Sequence, residues 1–114
     1  SIVDGIVAME GNGPVAGTRR DAGVVVAGSN PVAVDAACAR LMGFDWRRLP
    51  IIARALTVHD LPLCRFSHNE VEVRSNQAEW QGVLERWPAE AGLSFTPHFG
   101  WKGHVELTRA KGRM

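Results

Sequence analysis

Three carboxylates stand in stretches that are otherwise apolar: Asp4 within residues 2–9, Glu10 just after them, and Asp35 within residues 32–42. A carboxylate shut away from water costs several kcal/mol unless it is paired, hydrogen-bonded, protonated or metal-bound. Asp35 is the sharpest case. It lies about one turn inside an apolar helical run that follows an apolar strand-like run, the place where open α/β sheets put their ligands. Between the carboxylates runs Gly11-Asn-Gly-Pro-Val-Ala-Gly17, whose glycines let backbone N–H groups approach an anion, and a helix beginning at Pro31 adds its positive dipole end. Alternatively the acids hold a hard cation such as Mg²⁺, which prefers oxygen ligands. A structural reading stands beside both: Asp35 pins the glycine loop by accepting its backbone hydrogen bonds, while Asp4 and Glu10 cap turns. The catalytic candidates are therefore Asp35, Glu10 and Asp4.

Other chemistries find less support. The loop is not a Walker sequence, since no Gly-Lys-Ser/Thr follows, and Gly11-x-Gly13-x-x-x-Gly17 is spaced wrongly for a dinucleotide fingerprint. His59, His68, His98 and His104 contain no His-x-x-x-His pair. Ser29, Ser67 and Cys38 lack a nucleophile elbow or an evident base. Cys38 and Cys64 stand alone, which reads as two reduced, buried thiols of a cytoplasmic protein.

The elements that would position the acids follow from periodicity and punctuation. Residues 2–9, mostly β-branched and apolar, predict a largely buried strand; residues 11–17 predict a loop; residues 23–27 predict a strand covered on both faces. If the two strands are parallel neighbours, both following loops open at one sheet edge. Ser29 or Asn30 caps a helix with Pro31 at its first position, running to Met42 and stopped by Gly43. Asp45 caps a further turn, and Pro50 heads a second helix that Leu61-Pro62 breaks. Residues 70–74 alternate as a half-exposed or edge strand, and Trp80, Val83, Leu84 and Trp87 fall on one stripe of an amphipathic helix. Residues 95–104 are irregular and aromatic, residues 105–107 suit a short strand, and Arg109, Lys111 and Arg113 make a basic tail over residues 108–114 that frays into solvent.

This order predicts one α/β domain over residues 1–114, with a mixed, incomplete sheet and helices packed on it. The chain enters an apolar segment directly at Ser1, which reads as the C-terminal fragment of a larger domain. A formal net charge of +1 gives no global attraction to nucleic acid or to an acidic membrane, and no stretch reaches the ~20 apolar residues of a membrane span.

Three runs carry a resemblance: Asp4-Gly-Ile-Val-Ala-Met-Glu-Gly-Asn-Gly-Pro14; Val26-Ala-Gly-Ser-Asn-Pro-Val-Ala-Val-Asp35 with Ala39-Arg-Leu-Met-Gly43; and Phe95-x-Pro-His-Phe-Gly-Trp-Lys-Gly-His104. In this order they resemble the C-terminal part of the uncharacterised iron–sulfur-centre proteins, defined by a domain of unknown function. The resemblance joins Asp4, Glu10, Asn12, Gly13, Pro14, Asn30, Pro31 and Asp35 into one unit. With the glycine loop, the ligand-binding candidates are Glu10, Gly11, Asn12, Gly13, Pro14, Asn30 and Asp35. Members often carry a ferredoxin-like cysteine cluster for [4Fe–4S] groups, but no Cys-x-x-Cys run occurs here, so such a centre is expected in a missing segment or a partner and no metal in this chain. Two functions follow as expectations: a ligand-binding or catalytic pocket linked to that redox centre, or a non-catalytic module that docks an iron–sulfur ferredoxin-like domain or another subunit.

Overall fold

A computed structural model describes residues 1–57 and 60–107; His59 and the basic tail of residues 108–114 lie outside them. Helices and strands mix, as the element order predicts. Strands β1 (Ile2–Gly5) and β4 (Val24–Ala27) pair antiparallel, with Val3 opposite Val26. Between them in sequence, β2 (Ala8–Asn12) and β3 (Ala16–Arg20) form a hairpin, with Glu10 opposite Thr18. A third ladder joins β5 (Glu72–Val73) to β6 (Gly82–Val83).

Two expectations for the amino-terminal region are corrected. Residues 2–9 are not one buried strand, because the chain bends at Ile6 and Val7 and the Asp4 carboxylate accepts the Ile6 N–H (3.1 Å), turning β1 into the hairpin. The two runs are neighbours but antiparallel, so the condition under which the loops after them would open at a common edge is not met. The β1–β4 ladder is also open on its outer face, where Ile2 is 79% and Val25 61% exposed. Continuous apolarity in β4 is therefore not a sign of cover on both faces here.

Helix α1 (Pro31–Met42) forms as its sequence dictates. Asn30 Oδ1 accepts the N–H groups of Val32 (2.9 Å) and Ala33 (3.2 Å), and Gly43 ends the helix at φ 84°. A residue with a Cβ is strained in that left-handed conformation. The first and last turns thus lose few of their orphan backbone groups to the interior. Ala36, Ala37, Ala39 and Leu41 pack into a core shared with Leu84, Trp87 and Val105. Alanines let the neighbouring backbone come close, while Leu84 and Val105 fill the space as the largest fully buried side chains.

The charged residue that α1 buries is Arg40, at 7% exposure. Its guanidinium donates to the carbonyls of Trp87 (2.6 Å) and Pro88 (2.7 Å), two groups of an irregular segment, the second of which also accepts the Ala91 N–H (3.0 Å). Burial pushes its pKa down, opposed by the acidic Glu85, Glu90 and Asp45.

After α1, Asp45 caps a 3₁₀ turn over Trp46–Arg48 by accepting the Arg47 N–H (3.0 Å), and α2 (Pro50–Ala55) starts at its proline. The amphipathic helix expected from Trp80 to Trp87 does not form; 3₁₀ turns at Ala78–Trp80 and Leu84–Arg86 flank β6 instead. Gly82 at φ 94° breaks the run, and tertiary bonds outbid a lone helix of this length. Leu84 N–H goes to the Val71 carbonyl (2.8 Å), Trp80 Nε1 to the Ala91 carbonyl (2.6 Å), and the Glu85 carboxylate accepts Trp46 Nε1 (2.9 Å) and Arg47 (2.6 Å). The apolar stripe still reaches the core, but from turns. Residues 105–107 contribute a single bridge, Glu106 to Phe44.

Arg40 generates a direct test. Arg40→Ala takes the guanidinium donor from the Trp87 carbonyl, leaves Pro88 with the Ala91 N–H alone and removes a packed stem, so a loss of about 2–4 kcal/mol in urea unfolding is expected. Arg40→Lys should recover part of that loss.

Candidate functional site

The hairpin and the aromatic segment 93–104 meet, and the residues singled out at Glu10 to Asn12 are where they meet. Residues 8, 10 and 12 alternate onto one face of β2, and Arg20 lies diagonally across the ladder on the same face. The Glu10 carboxylate accepts Arg20 (2.9 Å) and the Thr96 N–H (2.9 Å). Next to it the Gly11 N–H donates to the Thr96 carbonyl (2.8 Å), and Asn12 Oδ1 accepts the Phe99 N–H (3.0 Å). Arg20 also donates to the carbonyls of Leu93 and Ser94, and its guanidinium sits 4.8 Å over the Phe95 ring.

The other side of the segment is held by α1. Leu93 N–H bonds the Leu41 carbonyl (2.6 Å) and Phe95 N–H the Met42 carbonyl (2.8 Å), satisfying acceptors at the helix end. Beyond it the chain turns on itself: Trp101 and Lys102 N–H groups donate to the His98 carbonyl, and Gly103 N–H reaches the Glu106 carboxylate at 2.8 Å. The result is an ordered loop that presents Phe99, 73% exposed, and Trp101, 46% exposed.

The electrostatics agree with the geometry. The Thr96 N–H first, and the Arg20 guanidinium with it, hold the Glu10 carboxyl below its ordinary value of 4.5 against partial desolvation. Glu10 is thus an anchoring anion, already supplied with partners.

The remaining candidates scatter. Asp4 caps the bend before the hairpin. Gly13 and Gly17 lie under the Met9 side chain, whose sulfur occupies the space a Cβ would need, and Pro14 sits at the hairpin tip. Asn30 is taken up by its helix cap and by donating to the Leu63 carbonyl (3.0 Å). Asp35 is exposed, contrary to the burial expected of it. Pro31, Asp35, Cys38 and Met42 fall at i, i+4, i+7 and i+11, the least covered line of an otherwise buried helix. Among the described residues no hydrogen bond or ion pair joins the Asp35 carboxylate to the hairpin. Burial and then the negative charge of Asp35 push the Cys38 thiol up, which leaves it a protonated, unreactive neighbour.

Among the described residues no group of three His, Cys, Asp or Glu side chains is placed to hold a metal ion. No described helix is long and apolar enough to cross a membrane. Arg20 and Arg40 escaped the sequence reading, because an arginine's partners were carbonyls 47 to 74 residues away. One signal was available: Arg20 ends a β-strand on the same face as Glu10 and diagonal to it, an alternation visible once residues 8–20 are read as a hairpin.

The sign of the pH effect follows from the lowered Glu10 value. The contribution is complete above about 4.5 and is lost as the pH falls through the lower value of the folded protein. Protection of the Thr96 amide from hydrogen exchange should therefore drop in that acid range, and Glu10→Gln should remove the pH dependence while keeping an acceptor in place. Unchanged Thr96 protection across the range would contradict the anchoring role.

Residues 1–40 match the family described as Domain of unknown function (DUF362), a stretch that holds β1 to β4 and most of α1, including Glu10, Asn12 and Arg20. No curated protein and no solved structure matches the chain. The amino-terminal third that builds the anchoring face is thus what this chain has in common with that family of unknown function.

Proposed function

We propose that the chain is a docking domain, and that the face built by the β2–β3 hairpin and the loop of residues 95–104 receives an iron–sulfur domain or subunit. The observation that carries this reading is the exposure of Phe99 and Trp101 on a loop whose backbone is fixed from two sides. Ordering a loop costs about 1–2 kcal/mol per residue, and here that cost is met before any partner arrives. A pre-ordered, half-exposed tryptophan is the kind of side chain that anchors interfaces. Lys102, exposed beside Trp101, places a positive charge at the same tip, which suits a centre whose thiolate ligands carry negative charge.

A pocket at Glu10, residues 11–17 and Asp35 has less to support it. Glu10, Gly11 and Asn12 are already bonded to residues 96–99, and Asp35 is exposed elsewhere. The identity of the partner rests on the resemblance of the three sequence runs, and the redox centre belongs to that partner or to another segment of the same protein.

The test is titration calorimetry of the full chain with a [4Fe–4S] ferredoxin. Trp101→Ala is expected to weaken binding about tenfold or more and Phe99→Ala by less, with circular dichroism unchanged. Equal affinity for both variants and the parent would remove this face from the interface.

A further inference from the structure

A cleft of about 930 Å³ opens between β4 and the segment 70–77, with Ala33 and Ala37 of α1 among the residues lining it. Both walls are unbroken runs of sequence, residues 22–30 on one side and 70–77 on the other. A strand that turns one face to a cavity lines it with every second residue, because side chains alternate. Lining by consecutive residues means that the strand edge, with its backbone N–H and C=O groups, borders the space.

The ladder shows which groups those are. Gly28 exchanges both hydrogen bonds with the first residue, its N–H to the Ser1 carbonyl (3.0 Å) and its carbonyl from the Ser1 amino group (2.7 Å). In an antiparallel pair such exchange recurs at every second residue, so Val26 and Val24 bond to β1. Val25 and Ala27 then direct their backbone groups away from β1, toward the cleft. Among the described residues β4 pairs only with β1, and β5 only with β6.

An edge of this kind specifies its occupant. Only an extended polypeptide carries donors and acceptors at the strand repeat of about 3.3 Å per residue. The charged side chains lining the cleft are Glu70, Glu72, Glu79 and Arg74. Glu70 is taken by the Ser67 N–H and hydroxyl, and the acids still outnumber the single base. Apolar side chains find the alanines and Leu41 of α1 on the inner side.

We infer that this cleft is a strand-accepting site, which takes an extended peptide segment of a partner protein in which basic residues alternate with apolar ones. The segment adds to the free edge of β4, bonding Val25 and Ala27, with its basic side chains toward Glu72 and Glu79. This surface is distinct from the aromatic loop, so the two can succeed or fail separately.

The probe is a capped seven-residue peptide alternating lysine and valine, added to the full chain and followed by Trp80 fluorescence and amide exchange. Saturable binding with new protection at the Val25 and Ala27 amides is expected. N-methylation of alternate peptide amides should weaken it at least tenfold without changing the peptide's charge, and the Glu72→Gln, Glu79→Gln double variant should weaken it several-fold. Trp101→Ala should leave it unchanged. No saturation at millimolar peptide, equal binding of the N-methylated peptide, or protection appearing only at residues 95–104 would each overturn the inference.

Discussion

The arrangement of this protein depends on how residues 93–99 are strapped between the end of α1 and the β2–β3 hairpin. The segment has no helix or sheet of its own to satisfy its backbone, yet Phe95 is buried and Leu93, Pro97 and His98 are partly so. Buried backbone groups must find partners. Leu41 and Met42 supply carbonyls from one side, and Glu10, Gly11, Asn12 and Arg20 supply the rest from the other. The Arg20–Glu10 pair is 2.9 Å apart and only partly exposed, so it acts less as a surface ion pair than as a pair of oriented bonding groups.

A second constraint works the same way in the last turn of α1, beside the first. Arg40 reaches into irregular chain and donates to the carbonyls of Trp87 and Pro88. Both arginines thus let aperiodic segments approach a helix or hairpin without stranding carbonyls. This explains how three two-stranded ladders and two α-helices among the described residues still gather Leu84, Trp87, Phe95 and Val105 into one core. Short ladders bring little stability alone, and packing against α1 is what sustains them.

Exposure is distributed unevenly. Of the twelve large apolar side chains left exposed among the described residues, seven lie within residues 2–25. A two-stranded ladder also has two edges, and an uncovered edge is a template for pairing. The amino-terminal third therefore combines an anchoring face that is internally satisfied with strand edges that are not. Exposed apolar side chains and an open strand edge thus lie on the β1–β4 ladder, and Phe99 and Trp101 add to them on the aromatic loop.

By itself the sequence determined the local elements whose causes are local. Asn30, Pro31 and Gly43 bound α1 because capping and left-handed backbone depend on a few adjacent residues, and Asp45 and Pro50 mark the next turns in the same way. It also carried the three runs whose first two overlap the stretch matching the family of unknown function. Only the tertiary structure decided strand direction, since period-two alternation reads the same in parallel and antiparallel ladders. It alone decided that Trp80 to Trp87 abandon a helix, because the competing bonds come from Val71, Ala91 and Trp46. It decided, finally, which charge is buried: Asp35 and Arg40 sit five residues apart on one helix, and the packing of residues 87–95 against Arg40's side left Asp35 to the solvent. Burial is a property of what arrives from far along the chain, and no spacing within residues 31–42 encodes it.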